Sequence, residues 1–384
     1  MKKIIKVISF VMLLSIVLTL GITVSAAEQK NENANINAKS AVLMDANTGT
    51  LLFEMNKDER LPPASVTKIM TLLLVFEALE NNVIKLDDIL QVSENAASMG
   101  GSQIFLEPGE KMSVEDLIKS VVIASANDAA VTLAEHIGGS EEVFVYSMNK
   151  RAKELGMNNT YFENATGLDD DTTMHLTTAY DIALMSRELL KHEKIMEYTT
   201  IWMDTVRNGE FGLSNTNKLI RFYKGATGLK TGSTSKAGFC ISATAKRENL
   251  HLISVIMGSE SSQTRNAAAT KLLDLGFAKY EIFLKEDINI DPIKVCGGKK
   301  DYINAAFDGK EIIIPKGKSN NVEIVISEKE ELNAPVKKGE VVGSIIYKLD
   351  GEIIDEADIY SSESVDEIDF IWYLGSILKK IIIN

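Results

Sequence analysis

The chain has 384 residues, 45% of them hydrophobic and 25% charged, with 25 Gly and 6 Pro. That composition excludes collagen-like, low-complexity and mainly disordered chains, and the length leaves room for two domains with cores of their own. The formal net charge is -13, and no run of Lys and Arg interleaved with aromatics is present, which argues against nucleic acid as a partner. Cys240 and Cys296 form no CxxC, and the four histidines lie far apart without HExxH, so the pattern predicts no disulfide framework, no metal site and no cofactor.

Residues 1–27 carry Lys2, Lys3 and Lys6, an apolar run from Val7 to Leu20, and small residues at Val24-Ser25-Ala26-Ala27. This is the pattern of a cleaved secretory signal, and an apolar run of about 14 residues is short for a spanning helix. Its removal would take the net charge from -13 to -16. The protein is expected to work outside the cytoplasm, at the outer face of the membrane or in the cell wall.

Residues 41–45 and 50–54 then read as strands joined by Ala46-Asn47-Thr48-Gly49, a hairpin turn. Pro62-Pro63 precede a segment, 65–79, that is apolar on nearly every side and predicts a buried helix starting at Ser65. Ser113 caps a helix running toward Ile123 and a second helix begins near Ala129, which leaves Ser125-Ala126-Asn127 at a break. Helices are predicted at 141–155, 178–190 and 262–275, the last closed by Gly276. Strands are predicted at 229–231, 239–246 and 250–257. Strands at both ends of a helical stretch imply one α/β domain over 28–280 whose sheet gathers both ends.

From about Glu281 helical periodicity stops, and 312–314, 322–326, 341–347 and 352–357 read as short strands of a small all-β module over 281–360. An acidic linker, 361–367, leads into an amphipathic segment of a terminal region, 361–384. There Asp366, Asp369, Tyr373, Ser376, Lys379 and Lys380 mark one face and Phe370, Ile371, Trp372, Leu374, Ile377, Leu378, Ile381 and Ile382 cover the remaining arc. The favoured reading is a helix lying in the plane of a membrane surface; the alternative is a terminal helix docked on the protein's own core.

Ser65-Val-Thr-Lys68 puts a hydroxyl at the start of a helix and an amine on the same face one turn later. A lysine can act as base toward a serine only when neutral, and burial beside another cation drives it there. Spacing alone does not select it, because SxxK occurs at Ser65, Ser147, Ser233 and Ser376, and SxN at Ser93, Ser125, Ser147 and Ser319; only Lys230-Thr231-Gly232 is unique. Order and context select Ser65 after two prolines, Ser125 at a helix break, and Lys230 on a strand beside glycines that permit close backbone approach.

The set SVTK, SAN and KTG resembles the serine penicillin-recognising enzymes. PPASVTKIMT, ASANDAA, FENATGLD, NTNKL and GLKTGSTSKAG resemble more narrowly the low-molecular-mass penicillin-binding proteins that are D-alanyl-D-alanine carboxypeptidases, over roughly 39–277. The resemblance implies an antiparallel sheet flanked by helices, then a small all-β domain and an amphipathic tail. It implies removal of the terminal D-alanine from peptidoglycan pentapeptide stems, and covalent capture of β-lactams. By the same resemblance Ser65 is the acylated nucleophile and Lys68 its base. Ser125 relays a proton to the leaving amine, and Asn127 holds the substrate amide and orients Lys68. Lys230 keeps Lys68 neutral and attracts the terminal carboxylate, which Thr231 binds beside Gly232. Backbone N–H groups of Ser65 and Ser233 form the oxyanion hole. Arg265 helps bind the carboxylate; the alternative is a solvated charge in a helix's first turn, where the helix dipole disfavours a cation.

Thr166 and Ser233 stand where many relatives carry histidine, which leaves substrate contacts at those points open. Ala126 and the lack of an ExxLN motif weigh against a β-lactamase, and endopeptidase action on cross-links remains an alternative. A protein that acylates once and then signals or scaffolds is a third. Cys240 reads as a core residue, Cys296 as structural, and Glu163 and Asp169 as residues shaping a loop rather than an acid pair.

Overall fold

The computed structural model describes residues 35–169, 172–285, 288–329 and 331–383. The expected signal at 1–27 lies outside the described residues. A five-stranded antiparallel sheet runs in the order Leu51–Met55, Ser40–Asp45, Leu250–Ser259, Gly238–Arg247, Ala226–Thr234. The first and last thirds of this region thus meet in one sheet, as the α/β reading requires.

Ser40–Asp45 is buried at every position because both of its faces are covered. Val42 and Met44 join the large core that includes Ile69, Leu73, Ala179 and Ile182, while Leu43 and Leu252 face the helix Ser262–Lys279 at Gly276. Gly276 therefore does not end that helix, contrary to the sequence expectation. A Cβ there would sit 2.5 Å from Leu252 and 3.0 Å from Leu43, so the missing side chain lets the helix lie against the sheet.

The expected helix at Ser65 is a 3-10 turn, Ala64–Thr67, followed by an α-helix from Lys68 to Glu80. The helix opened by Ser113 holds α geometry over Val114–Lys119 and loosens into a π-turn over Ser120–Ala124. The next runs from Asn127 to Gly138. The strand expected at 229–231 extends over Ala226–Thr234, and two hairpin pairs escape the periodicity argument: Ile89–Gln91 with Lys111–Ser113, and Met203–Val206 with Phe211–Ser214.

Beyond Lys279 the elements are strands. Ala305–Ala306, Glu352–Ser361, Val341–Leu349 and Val322–Glu328 form one sheet, Tyr302–Ile303, Ile293–Cys296 and Leu332–Asn333 a second, and Tyr280–Phe283 pairs with Ile312–Pro315. They enclose a second apolar core that includes Ile293, Ile314, Ile345, Tyr347, Ile359 and Val365.

The acidic stretch expected as a linker is bound to this core. Val365 is buried in it and bridges Val336, Glu367 bridges Gly298, Lys300 pairs with Glu363, and Lys299 Nζ lies 2.8 Å from Asp369. A helix, Phe370–Ile383, follows. Phe370 and Ile371 are 78% and 81% exposed, so the helix does not bury these residues on the protein's own core. No helix among the described residues is long and apolar enough to cross a membrane.

Candidate active site

Pro62 and Pro63 lead into Ala64, which holds a left-handed φ of 49° immediately before Ser65. Such a conformation is strained for a residue with a Cβ and persists where its surroundings impose it. Gly167 presses on this turn: a Cβ on it would lie 1.8 Å from the Ala64 carbonyl oxygen. From the other side comes Gly232, whose Cβ would lie 2.8 Å from the Ser65 nitrogen and 2.9 Å from that of Val66. The glycine of KTG is thus what lets the Ala226–Thr234 strand run against the Ser65 turn and bring Ser233 beside it.

One turn on, Lys68 Nζ lies 3.0 Å from Ser65 Oγ, 2.5 Å from Asn127 Oδ1 and 2.8 Å from the Thr166 carbonyl oxygen. Asn127 Nδ2 donates to the Gly100 carbonyl at 2.7 Å, which fixes the amide with its oxygen toward Lys68. Lys68 is wholly buried, and burial first, then the Lys230 cation, holds its pKa well below the ordinary value against the opposing charge of Asp128. A neutral amine has two N–H donors and one lone pair. Asn127 Oδ1 and the Thr166 carbonyl can only accept, so they take both hydrogens and leave the lone pair for the Ser65 hydroxyl, which then donates to it.

Ser125 closes the π-turn in a left-handed conformation, φ 63°, and Asn127 opens the following helix. The break expected here is therefore present, with Ser125 in a left-handed and Ala126 in a non-helical conformation between the two helical segments. Among the described residues its buried Oγ has no hydrogen-bond partner, so the hydroxyl is uncommitted.

Lys230 is also wholly buried and donates to the Thr231 carbonyl at 2.8 Å. Burial, then the Arg265 cation, lowers its pKa to about 7. Arg265 is only 5% exposed rather than solvated, and burial lowers its pKa to about 10. Its Nη2 donates to Asn266 Oδ1 at 2.9 Å. Arg265, Ser65, Ser125, Thr231, Gly232 and Ser233 all line one cleft of about 280 Å³. Lys68, Asn127 and Lys230 are buried, with their side-chain nitrogens held by protein acceptors.

Sequence reasoning missed Ser102, Thr216, Phe239 and Ser262, which share the cleft lining. Thr231 Oγ1 donates to Thr216 Oγ1 at 2.8 Å, and Thr216 was legible only as part of NTNKL. His175 was also missed. Its Nδ1 accepts from the Glu163 N–H at 3.0 Å, which leaves Nε2–H to donate to Thr67 Oγ1 at 2.8 Å, and Thr67 donates in turn to the Ala64 carbonyl. Burial lowers its pKa to about 4, so the ring is neutral and acts as a strut under the turn that carries Ser65.

Asn164 Oδ1 accepts from the Gly167 N–H at 2.7 Å, and Glu163 accepts from Thr173 and Met174. Asp169 accepts from Thr234 Oγ1 at 2.5 Å. Glu163 and Asp169 therefore shape the loop, as read from the sequence. Cys240 is buried and its thiol pKa is pushed up to about 11, mainly by burial, consistent with a core role. Among the described residues no cluster of three or more His, Cys, Asp or Glu could hold a metal.

A family model described as D-alanyl-D-alanine carboxypeptidase matches residues 25–261, well over half of the chain. The chain belongs to the D-alanyl-D-alanine carboxypeptidase family. A second model, the C-terminal domain of penicillin-binding protein 5, matches residues 277–367. The carboxypeptidase is 45% identical to D-alanyl-D-alanine carboxypeptidase DacF of Bacillus subtilis over 344 residues, 88% of each chain. Penicillin-binding protein 5 of Haemophilus influenzae aligns with a TM-score of 0.80 at 35% identity, covering 86% of this chain and 98% of that one. Penicillin-binding protein D2 of Listeria monocytogenes, solved in an ampicillin-bound form, aligns with a TM-score of 0.59 at 34% identity, covering 64% of this chain and 99% of that one. The enzyme is accordingly a serine-type D-alanyl-D-alanine carboxypeptidase, with an α/β peptidase domain followed by an all-β domain.

Proposed function

We propose that this carboxypeptidase works through an acyl-enzyme on Ser65. The observation that carries the reading is the buried Lys68 amine, its pKa lowered by burial and the Lys230 cation, with Asn127 Oδ1 and the Thr166 carbonyl as acceptors and the Ser65 hydroxyl 3.0 Å away. Lys68 takes the Ser65 proton as Oγ attacks the carbonyl carbon of the penultimate D-alanine. The N–H groups of Ser65 and Ser233 receive the developing oxyanion, a contribution of about 3 to 4 kcal/mol for one donor in a serine peptidase. Ser125 passes a proton to the nitrogen of the departing D-alanine. Thr231 and Arg265, with Lys230 behind them, bind its carboxylate; Asn127 orients Lys68 and offers its amide to the peptide. Water then hydrolyses the Ser65 ester and regenerates the enzyme. The substrates are peptidoglycan pentapeptide stems, and a β-lactam enters as a mimic that acylates the same serine.

The proposal extends to the ends of the chain. Residues 1–27 are a cleaved export signal, 28–280 hold the chemistry, 281–360 form the β module, and 361–384 tether the enzyme to the outer face of the membrane. The exposed apolar residues of the helix Phe370–Ile383 support in-plane binding. With an acidic mature chain, apolar insertion must outweigh electrostatics in that attachment.

Labelling with a penicillin tests the site. After tryptic digestion the adduct should fall on the peptide Leu61–Lys68, and Ser65→Ala should carry none. Label on another peptide, or retained in Ser65→Ala, sinks the assignment.

A further inference from the structure

The oxyanion donor assigned to Ser233 sits where a strand is least held. Ala226–Thr234 is an edge strand of the five-stranded sheet, and Ser233 and Thr234 are its last two residues, paired with Phe239 and Gly238 across a tight turn. An edge strand is hydrogen-bonded along one side only, and such an end frays unless something outside the sheet ties it down. Ser233 is exposed and lines the cleft, while Gly232 before it packs against the Ser65 turn.

Asp169 supplies the tie. Its Oδ2 accepts from Thr234 Oγ1 at 2.5 Å, and Thr234 Oγ1 accepts from the Ala237 N–H at 3.0 Å. A carboxylate has no hydrogen to give, so the Thr234 hydroxyl points its hydrogen at Asp169 and a lone pair at Ala237. The residue after Ser233 is thereby fixed both to its own turn and to a segment outside the sheet. Asp169 is only 6% exposed, so water competes little for this bond, and Lys236 Nζ donates to the Asp169 backbone carbonyl beside it. At its other end the same segment serves the base: the Thr166 carbonyl accepts from Lys68, and the Ala165 carbonyl accepts from Thr71 Oγ1 at 2.6 Å. Asp169 therefore joins the segment that orients Lys68 to the strand that carries Ser233, and it does so from outside the cleft lining.

We propose that Asp169 is a positioning residue that, through Thr234, holds the Ser233 N–H aimed at the oxyanion before substrate arrives. The inference rests on acylation of Ser65 with Ser233 as an oxyanion donor. Such a donor contributes only as far as it is fixed in advance, and removing one outright costs about a hundredfold or more in kcat in a serine peptidase. A donor that is loosened rather than removed should forfeit about tenfold. The bond from Lys236 goes to the main chain and survives replacement of the Asp169 side chain, so Asp169→Ala releases Thr234 while the segment keeps an anchor.

The test pairs D-alanine release from an acyl-D-Ala-D-Ala peptide with binding of its analogue that carries a boronic acid in place of the scissile carbonyl. Ser65 Oγ bonds to the boron, Lys68 takes the proton, and a boron hydroxyl rests where the oxyanion forms, so the affinity reports on the oxyanion site itself. Asp169→Ala and Thr234→Val should each lower kcat about tenfold and weaken the boronic acid about tenfold, with KM changed by less than about twofold. Asp169→Asn keeps an acceptor and Thr234→Ser keeps a donor, so both should stay within about threefold of wild type on either measure. The double variant Asp169→Ala/Thr234→Val should be no worse than either single one, because both cut the same bond. Should Asp169→Ala fail to fold, Thr234→Val carries the same comparison. Loss of kcat with boronic acid affinity intact, or Asp169→Asn falling as far as Asp169→Ala, overturns the proposal. A wild type that neither releases D-alanine nor binds the boronic acid would instead contradict the acyl-enzyme reading beneath it.

Discussion

In the proposed mechanism the Lys68 amine takes the Ser65 proton only while it carries none of its own, so the rate of acylation should follow the titration of Lys68. Its pKa is lowered by burial and then by Lys230, and raised by Asp128. Activity should therefore be lost as pH falls through this lowered pKa and be present above it. In Lys230→Met the nearby positive charge is gone, the Lys68 pKa rises, and the acid limb should move to higher pH by about one unit. The rate of penicillin acylation against pH measures this, and an acid limb at the same pH in both proteins would show that Lys230 does not tune Lys68. Because Lys230 itself titrates near 7, its influence is confined to the range in which it is charged. The residues of the proposed machinery, Ser65, Lys68, Ser125, Asn127 and Lys230, were legible through the order and context of SxxK, SxN and KTG and not through spacing alone, since SxxK and SxN each recur elsewhere in the chain. His175 was not, since a lone histidine among apolar and hydroxyl residues announces no partner until the fold sets it against Thr67.

At the level of elements, the site is a meeting of three pieces that each need a glycine or a left-handed residue at the point of contact. The loop carrying Gly167 supplies the carbonyl that binds Lys68 and supports the turn before Ser65. Gly167→Ala would put a methyl group into the Ala64 carbonyl at a φ of 83°, so the loop must move. We expect a loss of ~3 kcal/mol or more in chemical denaturation and a fall in penicillin acylation of about a hundredfold or more. Near-normal values for both would mean that the loop yields without disturbing Lys68. Such contacts explain where sequence patterns stopped short. Apolar periodicity located the helices at 141–154 and 179–190 to within a residue or so. It ended the helix at 262 too early, because Gly276 reads as a stop signal when it is a packing surface. It missed the hairpin Met203–Ser214, whose strands are only four residues long and bury one residue each.

Across the whole molecule, the peptidase sheet and the β module have separate apolar cores, and the acidic stretch after residue 360 is stitched to the second of them. Its charges suggested a free linker, but Val365 reaches the core and the lysines at 299 and 300 pair with Asp369 and Glu363. The terminal helix therefore leaves a folded base rather than a flexible tether. If that helix supplies the membrane attachment, a chain ending at Ile368 should remain in the supernatant when anionic lipid vesicles are sedimented, while the full-length mature chain pellets with them and resists elution by salt. Equal partition of the two would move the attachment elsewhere.

The central claim is that Ser65 turns over D-alanyl-D-alanine peptides catalytically. Release of D-alanine from an acyl-D-Ala-D-Ala peptide, followed over time with the mature enzyme and its Ser65→Ala variant, tests this most directly. The account predicts many D-alanine molecules per enzyme in the wild type and none above background in the variant. A single release per enzyme, or undiminished release from Ser65→Ala, would contradict it.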